Sequence, residues 1–262
     1  MFNIIMPVAG LGSRFRSGGH VVPKPIIMVE GRPMAFWAFL SLASQLPGCR
    51  PVLVVLREHV EAFRIDEVLG EHIPSAHIAV AETLTGGSLE TCLLARDAVA
   101  RGGGMNKPVI VLDGDLVFRS QPFVDEIRNM RDGAEAADGA LLSFRASDPR
   151  YSYAEVLDGR VLRTAEKVAI SDRALVGAYA FRRAETFFSI ADEIVADNER
   201  VANGEFYCSN AYNRLIRRGG RVALADIEAY WSMGTPEELA ASLADPAFVA
   251  LLRDFASAPA PG

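Results

Sequence analysis

Two groups of side chains in this sequence are equipped for chemistry on phosphates. The first 29 residues hold Arg14, Arg16 and Lys24 and no Asp or Glu, a local charge of +3 in a chain whose formal charge is −6. Within that stretch Gly10 and Gly12 follow an apolar run, residues 4–8. Glycines after a strand let backbone N–H groups come close to an anion, and Ala9, Leu11 and Ser13 supply the neighbouring amides. Pro23 and Pro25 flank Lys24; they restrict φ on both sides of it and hold its ammonium in a set direction. The second group is Asp113-Gly114-Asp115, directly after the apolar run 109–112. Carboxylates at the C-terminal end of a strand in an open sheet stand where ligands bind. Their hard oxygens suit Mg²⁺, which takes one or two carboxylates and completes its shell with substrate phosphates. Asp115 is the expected metal ligand, and Asp113 is expected to face the other way.

The glycine loop admits three readings. A Rossmann dinucleotide site matches Gly10-x-Gly12, and Glu30 lies 20 residues on as a ribose-binding acid would; Phe15 occupies the third glycine position, and Ser17-Gly18-Gly19 and Pro23-Lys24-Pro25 interrupt the helix such a site requires. A Walker A loop ends Gly-Lys-Ser/Thr, whereas Lys24 sits between prolines. The third reading is a loop that wraps a nucleoside triphosphate, with Arg14 and Lys24 on its phosphates.

The elements that must carry these groups alternate between strand and helix. Val/Ile-rich runs at 4–8, 52–56, 78–81 and 109–112 lack polar alternation, as parallel strands covered on both faces do. Helical spacing appears at 34–46, which is apolar nearly all round, at 59–69 and at 88–100. Such alternation predicts βαβ units and a parallel or mixed sheet. Beyond about residue 135 the pattern changes. Strands are expected at 140–144, 154–157, 161–164, 175–181 and 221–225, with Asp158-Gly159 as a hairpin turn. Helices are expected at 184–196 and 207–217. A last helix begins with Thr235 as N-cap, Pro236 in first position and Glu238 closing a capping box. The Ala/Pro-rich tail from Ala256 is expected to be loose. The reading is a single domain over 1–245, with a nucleotide-binding half at 1–135, an acceptor half at 136–245 in the same sheet, and a C-terminal extension at 246–262.

Composition removes several classes of function. Half of the 262 residues are hydrophobic and 23% are charged, which excludes a disordered chain. The pI of 5.3 argues against a nucleic-acid binder. No apolar run approaches the roughly 18 to 20 residues of a membrane span, so no membrane insertion is expected, and residues 1–7 lack the basic start of a secretory signal. Cys49, Cys92 and Cys208 are three, widely spaced and in no CxxC pair, which suits reduced thiols in a cytoplasmic protein. The four histidines show no ligand spacing; His20, inside the glycine-rich stretch, is a candidate phosphate contact.

Gly10-x-Gly12-x-Arg14-Phe15, Pro23-Lys24-Pro25 and Val29-x-Gly31-x-Pro33-Met34 together resemble the signature of the nucleotidyltransferases that activate sugar 1-phosphates, the nucleoside-diphosphate-sugar pyrophosphorylases. The resemblance spans roughly residues 1–245. It implies an α/β fold with a Rossmann-like, mixed and mostly parallel sheet flanked by helices, of the GT-A-like type. It implies transfer of a nucleoside monophosphate from a nucleoside triphosphate to a sugar 1-phosphate, or a related small phosphorylated acceptor, with release of pyrophosphate and with Mg²⁺ as cofactor. Arg14 would then grip the triphosphate, Lys24 the α-phosphate, and Asp115 the metal with Asp113 beside the nucleotide. The loop with Glu82, Thr85, Gly86, Gly87 and Ser88 would hold the base. Glu166-Lys167, followed by Gly177-x-Tyr179, would meet the acceptor, the lysine its phosphate and the glutamate a hydroxyl; Glu205 would face sugar hydroxyls. A homodimer is expected on general grounds.

One departure stands out. Many members of the family carry a second metal-binding Asp just before a Gly near the end of the domain, where this chain has Ser232 in Trp231-Ser232-Met233-Gly234. Either one carboxylate suffices with the triphosphate, or Asp226 or Glu228 supplies the charge. Gly234-Thr235-Pro236-Glu237 and Ile170-Ser171-Asp172 resemble the branch found with capsule and surface-polysaccharide genes. Two other readings remain: a glycosyltransferase that binds a nucleotide sugar through Asp-x-Asp and a metal, and a non-catalytic nucleotide-binding homologue.

Overall fold

The computed structural model describes residues 1–257. Its frame is a nine-stranded mixed sheet. β1 (Phe2–Pro7) leads through the glycine loop into α1 (Ser13–Ser17), a single turn ended by Gly18. A 3₁₀ turn at Lys24–Ile26 and the small hairpin β2 (Met28–Val29) and β3 (Arg32–Pro33) precede α2 (Met34–Ala43). Then follow β4 (Cys49–Leu56), α3 (Arg57–Phe63), α4 (Ile65–His72), β5 (His77–Ala81), α5 (Ser88–Leu93), α6 (Arg96–Arg101) and β6 (Val109–Leu112). β1 pairs with β4 and β6, and β4 with β5, all parallel. All four residues of β6 are buried, as the absence of polar alternation requires.

The second half builds onto this sheet. It runs β7 (Leu116–Arg119), α7 (Gln121–Asp132), β8 (Gly139–Arg145), β9 (Ser152–Leu157), β10 (Arg160–Glu166), β11 (Arg173–Phe181), α8 (Ala184–Ala196), α9 (Cys208–Arg217), β12 (Val222–Asp226), β13 (Ala229–Ser232), α10 (Pro236–Ala244) and α11 (Pro246–Ser257). β11 lies antiparallel on β6, with Ala178 opposite Leu112. The order is therefore β10-β9-β11-β6-β1-β4-β5, with β8 beside β11 and β12 parallel to β8. β7 and β13 form a separate antiparallel ribbon. The bond from Asp113 N–H to the Gly177 carbonyl, 2.8 Å, extends the β6–β11 ladder by one step and sets an acidic residue of the first half against the second.

Apolar side chains close both faces of the sheet. One face gathers Phe2, Ile4, Phe39 and Leu112, and the other Ile5, Val54, Phe187 and Tyr212. A third cluster joins Phe15 of α1 and Met34 and Trp37 of α2 to Leu239 of α10 and Phe248, Leu252 and Phe255 of α11. A buried Leu or Phe of this kind contributes about 1.5–3 kcal/mol. The last two helices thus clamp the underside of the glycine loop.

Several boundaries differ from those the sequence suggests. The expected helix 59–69 is two helices, parted at Arg64, whose φ of 51° is left-handed. The expected helix 88–100 is also two, because Leu94 and Ala95 bond three residues back, to Thr91 and Cys92, and tighten the chain out of the α-helix. Ala256 and Ser257, expected in a loose tail, end α11; residues 258–262 lie outside the described residues. Thr235 does cap α10, accepting from Glu238 N–H at 3.2 Å, but the Glu238 carboxylate turns to Ser232 and Arg150 and leaves the capping box half made. The hairpin at Asp158-Gly159 has both residues at positive φ, 49° and 74°, as a type I′ turn requires.

Candidate active site

The two groups of chemical residues meet at the C-terminal ends of β1 and β6. Gly12 is the N-cap of α1 with φ 61°, the left-handed region that glycine enters without steric cost. A Cβ there would stand 3.1 Å from Lys24 Cβ, so the glycine also lets the lysine segment lie against the loop. The Lys24 ammonium contacts Asp115 Oδ2 and donates to the Gly234 carbonyl at 3.3 Å. Gly10, Gly12, Lys24, Asp113 and Asp115 line a cavity of about 190 Å³.

Two further cavities adjoin it. One of about 290 Å³ is lined by Ser13, Arg14, Lys24, Lys167, Glu205 and Tyr207, so three cations converge on it. The other, about 320 Å³, is lined by Ser88, Asp113, Asp115, Arg150, Tyr151, Glu166, Lys167, Tyr179 and Glu238 among others. Shared walls make the three one cleft: Lys24 belongs to the first two, Asp113 and Asp115 to the first and third, Lys167 and Arg14 to the last two.

Asp113 does not face away from Asp115. Residues two apart in an extended segment point to one side, and both carboxylates border the same cavities. Burial first, and then the Asp115 carboxylate, push Asp113 up to about 8, against the opposing pull of Lys24. Gly177 makes room for it: a Cβ there would collide with Asp113 Oδ2. Two carboxylates on the wall of one cavity fit a divalent cation. Among the described residues no group of three or more His, Cys, Asp or Glu is placed to hold a metal, so the shell would be completed by phosphate oxygens, the arrangement Mg²⁺ favours.

On the far wall Glu166 accepts from Ser152 Oγ and, at 2.8 Å, from Ser209 Oγ. Tyr179 is almost wholly buried, and burial followed by the charges of Asp113 and Glu166 raises its phenol well above the ordinary value. Lys167 follows β10 directly, with φ 57°. Glu205 lines the cavity of Arg14, Lys24 and Lys167, while Glu166 and Tyr179 line the neighbouring one, which Lys167 shares.

The base-loop candidates divide. Ser88 lines the third cavity. Gly87 lies against the Phe206 backbone, and Phe206 N–H donates to the Gly86 carbonyl at 2.8 Å. Thr85 Oγ1 bonds Thr91 Oγ1 at 2.6 Å. Glu82 turns outward to Arg57 at 2.6 Å and is largely exposed. In the glycine loop Ala9 is buried in the core and Leu11 packs against it, so these two can offer only backbone groups. His20 packs edge-on against Phe15, ring centroids 5.1 Å apart.

Neither Asp226 nor Glu228 replaces the acid missing at Ser232. Asp226 pairs with Arg173, and Glu228 accepts from Gln121 N–H at 3.1 Å. Glu238 is the carboxylate beside Ser232: its Oε2 lies 2.8 Å from Ser232 Oγ, and its Oε1 pairs with Arg150 at 2.7 Å. Sequence reasoning took it for a helix cap, gave Tyr207 no role beyond the start of a helix, and passed over Arg150 altogether. Their only signal is tertiary, since Lys167 and Tyr207 are 40 residues apart.

No protein-family model matches the chain. It is 28% identical over 239 residues to a glucose-1-phosphate thymidylyltransferase of Actinoplanes sp., covering 87% of this chain and 72% of that one. Among solved structures it is similar to the nucleoside-diphosphate-sugar pyrophosphorylase of Vibrio cholerae, with 26% identity, a TM-score of 0.78, and coverage of 92% of this chain and 100% of the other. The inositol-1-phosphate CTP transferase of T. maritima shares the fold at 14% identity and a TM-score of 0.72, over 99% and 97% of the two chains.

Proposed function

We infer the reaction from the premise that this chain belongs to the sugar-phosphate nucleotidyltransferase family: it transfers a nucleoside monophosphate from a nucleoside triphosphate to a sugar 1-phosphate and releases pyrophosphate. An oxygen of the acceptor phosphate forms a bond to the α-phosphorus. The bond from that phosphorus to the β-bridging oxygen breaks, and its electron pair leaves with pyrophosphate. The nucleophile is already an anion, so no general base is needed. The obstacle is repulsion between it and a triphosphate of about −4. Bound Mg²⁺ would supply charge neutralisation at the phosphates.

The chain's own residues do the rest. The backbone of Gly10 to Ser13 and the Arg14 guanidinium hold the β- and γ-phosphates. Lys24 supplies positive charge at the α-phosphate, where charge builds in the transition state. Asp115, with Asp113 beside it, would hold the metal. Ser88 and the backbone of Gly86 and Gly87 face the base. Lys167 holds the acceptor phosphate, while Glu166 and the tyrosines line the acceptor's remaining surface. The observation that carries this reading is the convergence of Lys24, Arg14 and Lys167 on one cavity whose neighbour holds both aspartates. Placement in surface-polysaccharide synthesis and in the cytoplasm belongs to the same reading; among the described residues no helix is long and apolar enough to cross a membrane.

A pyrophosphate-release screen tests it, with the four common ribonucleoside triphosphates and thymidine triphosphate set against sugar 1-phosphates and phosphorylated alcohols. Release that needs both a triphosphate and a sugar 1-phosphate is expected. Release of a nucleoside diphosphate from a nucleotide sugar, with no pyrophosphate, would make the chain a glycosyltransferase.

A further inference from the structure

Of the 27 Lys and Arg residues only Lys24, Lys107 and Lys167 are lysine, and Lys24 and Lys167 stand in the cleft. A lysine carries a compact charge on a flexible stem. One that must meet a phosphate oxygen at a fixed point needs its tip held. Lys24 is held by its flanking prolines, Asp115 and the Gly234 carbonyl. Lys167 is held differently. Its Nζ donates to Tyr207 Oη at 2.7 Å and lies 4.8 Å from the centroid of the same ring. The hydroxyl also accepts from Asn203 Nδ2 at 2.8 Å. Beneath, the Lys167 backbone adopts the left-handed region, which a side chain with a Cβ disfavours, and its N–H donates to the Tyr151 carbonyl at 3.1 Å. The tyrosine is itself anchored: Phe206, before it, exchanges backbone bonds with Gly86 and Leu89 at 2.8 and 3.1 Å.

We propose that Tyr207 is a positioning residue for Lys167, fixing the ammonium at the wall shared by the triphosphate and acceptor cavities. The inference rests on the phosphate-binding reading of Lys167 above. An ammonium has three donors; one spent on Tyr207 leaves two for phosphate oxygens and sets their direction. Burial, and then a hydrogen bond with Glu205, raises the Tyr207 phenol, which keeps it neutral and able to accept from the lysine.

Two readouts test the proposal, one of which needs no substrate. In the free protein, acetylation by an excess of N-hydroxysuccinimidyl acetate, followed by peptide mass spectrometry, reports each of the three lysines separately. Tyr207→Phe should speed labelling of Lys167 about tenfold, as loss of a charge-assisted hydrogen bond implies, with Lys107 unchanged. Asn203→Ala, which removes the hydroxyl's outer partner together with the acceptor of the Glu205 N–H, should give a smaller acceleration in the same direction. With the triphosphate and acceptor found active in the screen, Tyr207→Phe should raise the acceptor KM about tenfold and move the triphosphate KM less. In a Lys167→Ala background Tyr207→Phe should add nothing. A folded Tyr207→Phe protein in which Lys167 labels at the wild-type rate overturns the proposal. Failure of Lys167→Ala to affect the acceptor KM would instead overturn the phosphate role of Lys167, and labelling would still decide whether Tyr207 holds it.

Discussion

The ammonium of Lys24 lies against the Oδ2 oxygen of Asp115, 91 residues further along the chain. The contact joins the cationic start of the sequence to its acidic centre, and it forms because β1 and β6 are parallel neighbours whose C-terminal ends face the same cleft. A cation and an anion so placed can hold the two halves of a metal-bound triphosphate.

Asp113 gives a pH signature. The fold holds its carboxyl up at about 8, from an ordinary 3.8. Between those values the unfolded chain has released the proton and the folded chain has not, so the group lowers stability as pH rises through the window and leaves it lowered above 8. In protein stripped of divalent cations, Asp113→Asn should therefore melt higher than wild type near pH 8, with the gap closing toward about pH 4. Thermal melts across that range check the sign; a gap independent of pH contradicts it.

Gly177→Ala would drive a methyl group into the Asp113 carboxylate. With Asp113 beside the metal as proposed, displacement of its carboxylate by about 1 Å should lower turnover on the order of 10²-fold. Mn²⁺ titration followed by electron paramagnetic resonance should show weaker binding in the same variant, and wild-type affinity there would refute the assignment.

The glycine loop rests on the C-terminal helix. Phe248 is fully buried in the cluster that contains Phe15 of α1. Phe248→Ala should cost about 3–5 kcal/mol, read from urea unfolding. It should also raise the triphosphate KM by loosening α1.

All three cysteines are buried, and burial pushes the Cys49 thiol up to about 12. A thiol reagent at pH 8 should find almost none of them in the native protein, and all three after denaturation. Rapid modification of the native protein would contradict the packing around them.

Much of the fold's first half was legible because its strands carry a local signal. Runs such as Val109–Leu112 are apolar without alternation, and the prolines around Lys24 and the glycines at 10 and 12 mark the loop by type and spacing alone. The second half was legible where a turn or cap announces an element, as Asp158-Gly159 and Thr235 do. What escaped has tertiary causes. The break at Arg64 puts a left-handed residue where no glycine advertises it. α11 is the exception: its signal was local, since Phe248, Leu251, Leu252 and Phe255 have helical spacing, in a segment read as a C-terminal extension. Glu238 looked like a cap because it stands at the third position after Thr235, and only the return of β13 beside β7 brings Ser232 and Glu238 to the cleft. Glu82, expected beside the base from its position in the chain, pairs with Arg57 and is largely exposed.

Pyrophosphate release by Lys24→Ala tests the central claim most directly. The variant should fold, with near wild-type circular dichroism, yet lose roughly 10² to 10³ in turnover, the effect of removing a charge that acts mainly on the transition state. A folded Lys24→Ala protein that releases pyrophosphate at close to the wild-type rate would contradict the account.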